Sequence, residues 1–116
     1  MSQLTTHILD TAHGCPAAGV AIELFRLSDG RQSLGRMRTN ADGRCDGPLL
    51  AGADFVPGAY ELIFAVGDYF RAKGVELPDP AFLDEVPIRF GIADAGQHYH
   101  VPLLLSPYSY STYRGS

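Results

Sequence analysis

The chain has 116 residues and a mass of 12.5 kDa, with 46% apolar and 19% charged residues, which is ordinary composition for one globular domain spanning 1–116. Nine basic against thirteen acidic residues give a net charge of −4 and a pI near 5.4, which argues against a general electrostatic grip on nucleic acid or an anionic membrane. No apolar run is long enough to span a bilayer.

In chain order, a first strand is expected over 4–10, ended by a turn at 12–16 (Ala-His-Gly-Cys-Pro). A second runs over 20–27, with Val20, Ile22 and Leu24 on one face. Ser28-Asp29-Gly30 turns into a third strand over 33–39. Asn40-Ala41-Asp42-Gly43 is the strongest hairpin signal, because Asp-Gly readily supplies a positive φ, and a short fourth strand is expected over 47–50. Tyr60, Leu62, Phe64 and Val66 alternate along a fifth strand. Asp68 is read as the cap of a short helix over 69–73, with Gly74 closing it. Pro78-Asp79-Pro80 breaks the chain. Val86, Ile88, Phe90 and Ile92 form the clearest period-2 stripe, and two more strands are expected over 97–105 and 108–113. About eight short strands with frequent Gly and Pro point to an all-β, two-sheet antiparallel sandwich with one short helix.

Four histidines are candidates for chemistry. His98 and His100 flank Tyr99, so period two puts both rings on one face of a strand, and His7 lies inside the first strand. Imidazole titrates near neutral pH and serves as general base or acid. A His-x-His pair with a third histidine also suits zinc, but no carboxylate or cysteine stands near the pair in the sequence. His13 sits in a turn, where a solvated ring is expected. Arg44 follows the Asp-Gly turn and is either a surface charge or a guanidinium clamp for a planar anion or carbonyl oxygens. Asp42 shapes the turn through its side chain. The tail from Tyr108 to Ser116 carries three tyrosines at alternate positions, which reads as a strand packed almost to the chain end. G-x-S-x-G, Walker A and G-x-G-x-x-G motifs are all missing, so hydrolysis here would use an activated water. Cys15 and Cys45 lack C-x-x-C spacing and read as free thiols. The start, Met1-Ser2-Gln3-Leu4-Thr5, lacks a basic and then apolar pattern, and a cytoplasmic location is expected.

Thr6-His7-Ile8-Leu9-Asp10 with Gly14-Cys15-Pro16-Ala17 resembles the opening motif of the transthyretin family. The run from His98-Tyr99-His100 through Ser106-Pro107 to Tyr113-Arg114-Gly115-Ser116 resembles the C-terminal signature of its enzymatic branch, the transthyretin-related 5-hydroxyisourate hydrolases. Asn40 to Arg44, Gly58-Ala59-Tyr60 and Gly67-Asp68-Tyr69-Phe70 fit the middle of that family, so the resemblance spans nearly the whole chain. It implies a homotetramer with active sites in a channel between subunits, and no cofactor or metal. It implies that His7, Arg44, His98 and Ser116 are catalytic, that His7, Arg44 and Tyr113 bind substrate, and that His100 supports the site. The implied reaction opens the lactam ring of 5-hydroxyisourate to 2-oxo-4-hydroxy-4-carboxy-5-ureidoimidazoline in urate catabolism. The competing expectation is a non-catalytic carrier of small aromatic ligands on the same fold.

Overall fold

Strand β1 (Gln3–Asp10) alternates half-buried and buried positions along its whole length. Leu4, Thr6, Ile8 and Asp10 therefore face the interior, while Thr5, His7 and Leu9 lie on the outer face. The computed structural model describes residues 2–115. Its strands form two sheets. One has the order β2 (Cys15–Pro16), β1, β8 (Tyr99–Leu105), β9 (Tyr110–Thr112), with β5 (Leu50–Ala51) also paired to β1. The other has the order β4 (Gln32–Arg38), β3 (Ala21–Arg26), β6 (Gly58–Ala65), β7 (Glu85–Ile92). Between the sheets lie Leu4 and Ile8 of β1, Ile22 and Leu24 of β3, Tyr60, Leu62 and Phe64 of β6, and Leu103 and Leu105 of β8, all nearly inaccessible. The expected stripes on β3 and β6 are thus core. On β7, Val86, Ile88 and Ile92 are buried, while Phe90 is only partly covered and stacks on Tyr60.

The two-sheet, predominantly antiparallel sandwich with one short helix is as expected, and several details differ. Within it one pair is parallel: β1 and β8 pair over seven residues, from Leu4 opposite Tyr99 to Asp10 opposite Leu105. Alternation dictates which face of a strand is buried, not which strand lies beside it or in which direction. The turn at 12–16 contains β2, where Cys15 and Pro16 pair with Asp10 and Leu9. Pro16 is tolerated because it sits at a sheet edge. Helix α1 (Val66–Ala72) begins directly after β6, so Asp68 lies in its first turn and is not its cap. The Asp84 carbonyl accepts both the Val66 and Gly67 amides at 2.9 Å, which satisfies the helix start without a side-chain cap. The last strand is shorter than expected, and Ser106 closes a turn with Ser109 where the reading placed its beginning.

The helix is tied to the first sheet by a buried carboxylate. Asp10 is 1% exposed and accepts the Tyr69 hydroxyl at 2.7 Å, the His13 amide at 3.0 Å and His13 Nδ1 at 2.6 Å. His13 is exposed, as expected for a ring in this turn, and is also paired to the buried carboxylate. Burial alone would raise the Asp10 pKa; the Tyr69 and His13 hydrogen bonds outweigh it and hold the carboxylate below its usual range. Among the described residues no helix is long and apolar enough to cross a membrane.

Candidate active site

The outer face of the β1–β8 pair carries the candidate chemistry. The two strands run in register, so Thr5 stands opposite His100 and shares its face. The Thr5 hydroxyl meets His100 Nδ1 at 2.8 Å and His98 Nε2 at 3.2 Å. His98 lies just before β8, yet its ring reaches the same hydroxyl, so the expectation of one shared face holds.

Arg44 arrives from the other edge of β1. The Asn40–Gly43 signal does not make a hairpin between neighbouring strands; it carries the chain from β4 in one sheet to the edge of β1 in the other. Asn40 organises this turn: its Oδ1 accepts the amides of Asp42 and Arg44, and its carbonyl accepts the Gly43 amide. The Asp42 side chain is not the shaping group. Gly43 has φ +74°, and a Cβ there would stand 2.4 Å from the Ile8 carbonyl oxygen. Only glycine allows the turn to dock so closely, and the Ile8 amide then donates to the Gly43 carbonyl at 2.9 Å. The docked turn sets Arg44 directly across from His7 as an isolated bridge.

From His7 to Leu4 is three residues on β1, but their partners, Arg44 and Leu50, are six apart. The three extra residues bow outward opposite Thr5 and Thr6. Between this bow and the histidines lies an open groove of about 520 Å³, lined by Thr5, Arg44, Cys45, Asp46, His98 and His100 among others. The fold therefore brings a carboxylate and a thiol to the histidine pair that the linear sequence does not. Among the described residues, however, no three His, Cys, Asp or Glu side chains gather at metal-ligand spacing. Cys45 is half-buried, and burial, with Asp46 next to it, pushes its thiol up. A raised thiol is a poor nucleophile at neutral pH.

His7 stands beside the groove on the same face. Its Nε2 lies 3.0 Å from the Asp42 carbonyl oxygen. A carbonyl only accepts, so Nε2 carries the hydrogen and a neutral His7 keeps its lone pair on Nδ1. Burial, then the positive Arg44, then His7 and His98 lower the His100 pKa, so His100 is neutral at neutral pH. One electrostatic neighbourhood thus holds Arg44, His7, His98 and His100.

The tail closes the other side. The Gly115 amide donates to the His100 carbonyl at 2.7 Å, and a Cβ on Gly115 would stand 2.6 Å from His100 Cδ2. Arg114, a residue that sequence reasoning passed over, donates to the His98 carbonyl at 3.1 Å and to Gln97 Oε1 at 2.9 Å, and its guanidinium lies 4.1 Å from the Tyr99 ring centroid. Thr5 was missed as well, although period two places it on the face of His7. Tyr113 is 60% exposed and lines a separate cleft with Ile88, Phe90, Tyr99 and Val101, which neither Arg44 nor His98 lines within one chain. Ser116, expected to be catalytic, lies outside the described residues.

Comparison with known proteins follows the same lines. A 5-hydroxyisourate hydrolase of Pseudomonas aeruginosa is 64% identical over 118 residues, covering 100% of this chain and 93% of that protein. The crystal structure of an (S)-allantoin synthase superposes with a TM-score of 0.95 at 50% identity; it covers 99% of this chain, which spans only 44% of that longer protein. Sea bream transthyretin in complex with thyroxine superposes with a TM-score of 0.87 at 28% identity, over 97% of this chain and 94% of that one. The sequence model of the HIUase/Transthyretin family matches residues 4–115, and with both sheets and the motif-bearing strands accounted for, the chain belongs to that family.

Proposed function

We propose that this protein hydrolyses 5-hydroxyisourate, opening its lactam ring with water. The observation that carries the reading is the convergence of Arg44, His98 and His100 on one groove beside His7, in a chain 64% identical to a protein of that name. The substrate is planar and electron-rich, and attack on its carbonyl develops negative charge on oxygen. The Arg44 guanidinium is exposed and unpaired by any carboxylate among the described residues, so it is available to hold that oxygen. A neutral imidazole takes a proton from the attacking water, and a second group returns one to the departing ring nitrogen. Ser116 remains a catalytic candidate through the tail motif, as does Tyr113 for substrate binding.

The assembly read here is a homotetramer in the cytoplasm. β9 is an edge strand, and Phe82, Tyr108, Tyr110 and Tyr113 are large exposed aromatics, with the Phe82 and Tyr108 rings 5.8 Å apart. An exposed edge beside exposed aromatics favours pairing with a second copy. Such pairing also gives Tyr113 a route to a groove on a neighbouring subunit. Freshly prepared 5-hydroxyisourate, followed by its ultraviolet absorbance, tests the activity, and light scattering tests the assembly. Tight binding of aromatic ligands without turnover would favour the carrier reading instead.

A further inference from the structure

We propose that the Thr5 hydroxyl joins His98 and His100 into one proton relay, with His98 Nδ1 as the base end and His100 Nε2 as the acid end. This rests on the hydrolase reading above and names roles within it. The argument is one of hydrogen counting. Thr5 Oγ1 lies within hydrogen-bond distance of one nitrogen on each ring, and a hydroxyl has a single hydrogen. If it donates to His100 Nδ1, it must accept from His98 Nε2–H. Both rings then carry hydrogen on Nε2, leaving a lone pair on His98 Nδ1 and an N–H at His100 Nε2. If it donates to His98 Nε2 instead, both rings carry hydrogen on Nδ1 and the two free ends exchange roles. A hydroxyl that accepted from both rings would turn its own hydrogen to water in the open groove and give up donating to a ring nitrogen. With the hydroxyl donating to one ring and accepting from the other, the two rings carry the same tautomer.

The distances select the resting state. Hydroxyl donors make shorter hydrogen bonds than ring N–H donors. The 2.8 Å contact is the one to His100 Nδ1 and the 3.2 Å contact the one to His98 Nε2. The hydroxyl thus donates to His100, and His98 presents the lone pair. Both rings line the groove that Arg44 closes, so a water at His98 and a leaving nitrogen at His100 share one cavity.

The transfer balances. His98 Nδ1 takes a proton from water as the hydroxide oxygen bonds to the carbonyl carbon. His98 Nε2–H passes to Thr5 Oγ1, the Thr5 hydrogen passes to His100 Nδ1, and His100 Nε2–H goes to the ring nitrogen as its bond to the carbonyl carbon breaks. One proton enters and one leaves. Both rings end with hydrogen on Nδ1, and exchange with solvent in the open groove resets them. Thr5 touches no substrate in this scheme; it is a positioning residue that acts through the two imidazoles.

The test uses the full-length protein with 15N-labelled histidine, and three forms: wild type, Thr5→Val and Thr5→Ser. Long-range 15N–1H spectra report each ring's tautomer without substrate. The expected wild-type result is the Nε2–H form for both His98 and His100, retained in Thr5→Ser and uncoupled in Thr5→Val. In the ultraviolet assay, Thr5→Val should lose kcat by about 100-fold, the lower end of general acid–base contributions, with KM little changed, and Thr5→Ser should recover most of it. Opposite tautomers in the wild type, or full kcat in folded Thr5→Val, would overturn the relay. A wild-type protein with matched tautomers but no turnover would overturn the hydrolase reading, and the relay's catalytic role with it, while leaving the shared hydrogen bond in place.

Discussion

A methyl group on Gly115 separates activity from stability. The Cβ of Gly115→Ala would stand 2.6 Å from His100 Cδ2, with further ring carbons at 3.2 and 3.3 Å. Carbon atoms in contact sit about 3.5–4.0 Å apart, so ring or tail must move by about 1 Å. The ring is held at its far side by the Thr5 hydroxyl and cannot slide without breaking that bond. The tail is held to β8 here by the 2.7 Å bond from the Gly115 amide to the His100 carbonyl. If the ring moves, an imidazole of the proposed relay is misplaced by about 1 Å, which costs on the order of 100-fold in rate. If the tail moves, the loss in stability is bounded by that one backbone hydrogen bond, about 0.5–1.5 kcal/mol. The ring branch predicts a loss of about 100-fold in kcat/KM, the tail branch a smaller loss as Arg114 leaves the His98 carbonyl, and both a melting temperature within about 6 °C of wild type. The measurement pairs the ultraviolet assay with thermal unfolding followed by circular dichroism. Wild-type turnover in a folded Gly115→Ala protein would show that the tail does not set the His100 ring, and the close-contact reasoning would fall.

Arg44→Ala should lower kcat/KM by about 100- to 1,000-fold, the loss seen when one oxyanion donor is removed, and Arg44→Lys should recover only part of it, since a point charge replaces the fork. Thermal unfolding of both should be near wild type, because Arg44 is exposed. Arg114→Ala frees the His98 carbonyl and uncovers Tyr99, and should cost activity with a small change in melting temperature; unchanged kcat would refute its positioning role. Asp10→Ala leaves the buried Tyr69 hydroxyl without its acceptor, and should destabilise by about 2–3 kcal/mol, read by urea unfolding. Asp10 and Glu61 are both held below their usual values, Glu61 by the Arg89 and Arg31 guanidiniums. A depressed folded-state pKa adds stability above the unfolded value, near 4, and loses it as pH falls through the folded value. Melting temperature should therefore be flat above about pH 5 and fall below about pH 4, less steeply in Asp10→Ala.

The sandwich was legible because its core is written as alternation. Val20, Ile22 and Leu24, and Tyr60, Leu62 and Phe64, are all buried as their spacing requires. Partner choice was not legible, since the parallel β1–β8 pairing depends on a crossover through the rest of the chain. That pairing creates the site: it puts Thr5 against His100, two residues 95 apart in sequence. The helix start was misread because the Asp84 carbonyl, remote in sequence, caps it in place of a side chain. The pairing of the exposed His13 with Asp10 was not legible, because nothing local reveals that Asp10 is buried beneath it. Residue type and position put His7, Arg44 and His98 among the candidates, and the motif resemblance alone supplied the roles proposed for them.

Sea bream transthyretin has the same fold and is in complex with thyroxine, so the sandwich alone does not decide between a carrier and an enzyme. The outer face of β1 and β8 bears on that choice. It presents Thr5, His7 and His100, with His98 and Arg44 alongside. Covering these groups with an apolar ligand would strip water from a guanidinium and three imidazoles without replacing its hydrogen bonds, which costs several kcal/mol. A small polar substrate that gains negative charge during reaction replaces those bonds, and replaces them best in the transition state. The preference is built from the residues that face outward, which contribute little to the core. A sheet whose inner face is fixed by packing leaves its outer face free to vary, so the side chains that alternate outward, and not the fold, decide whether such a sandwich holds a ligand or hydrolyses one.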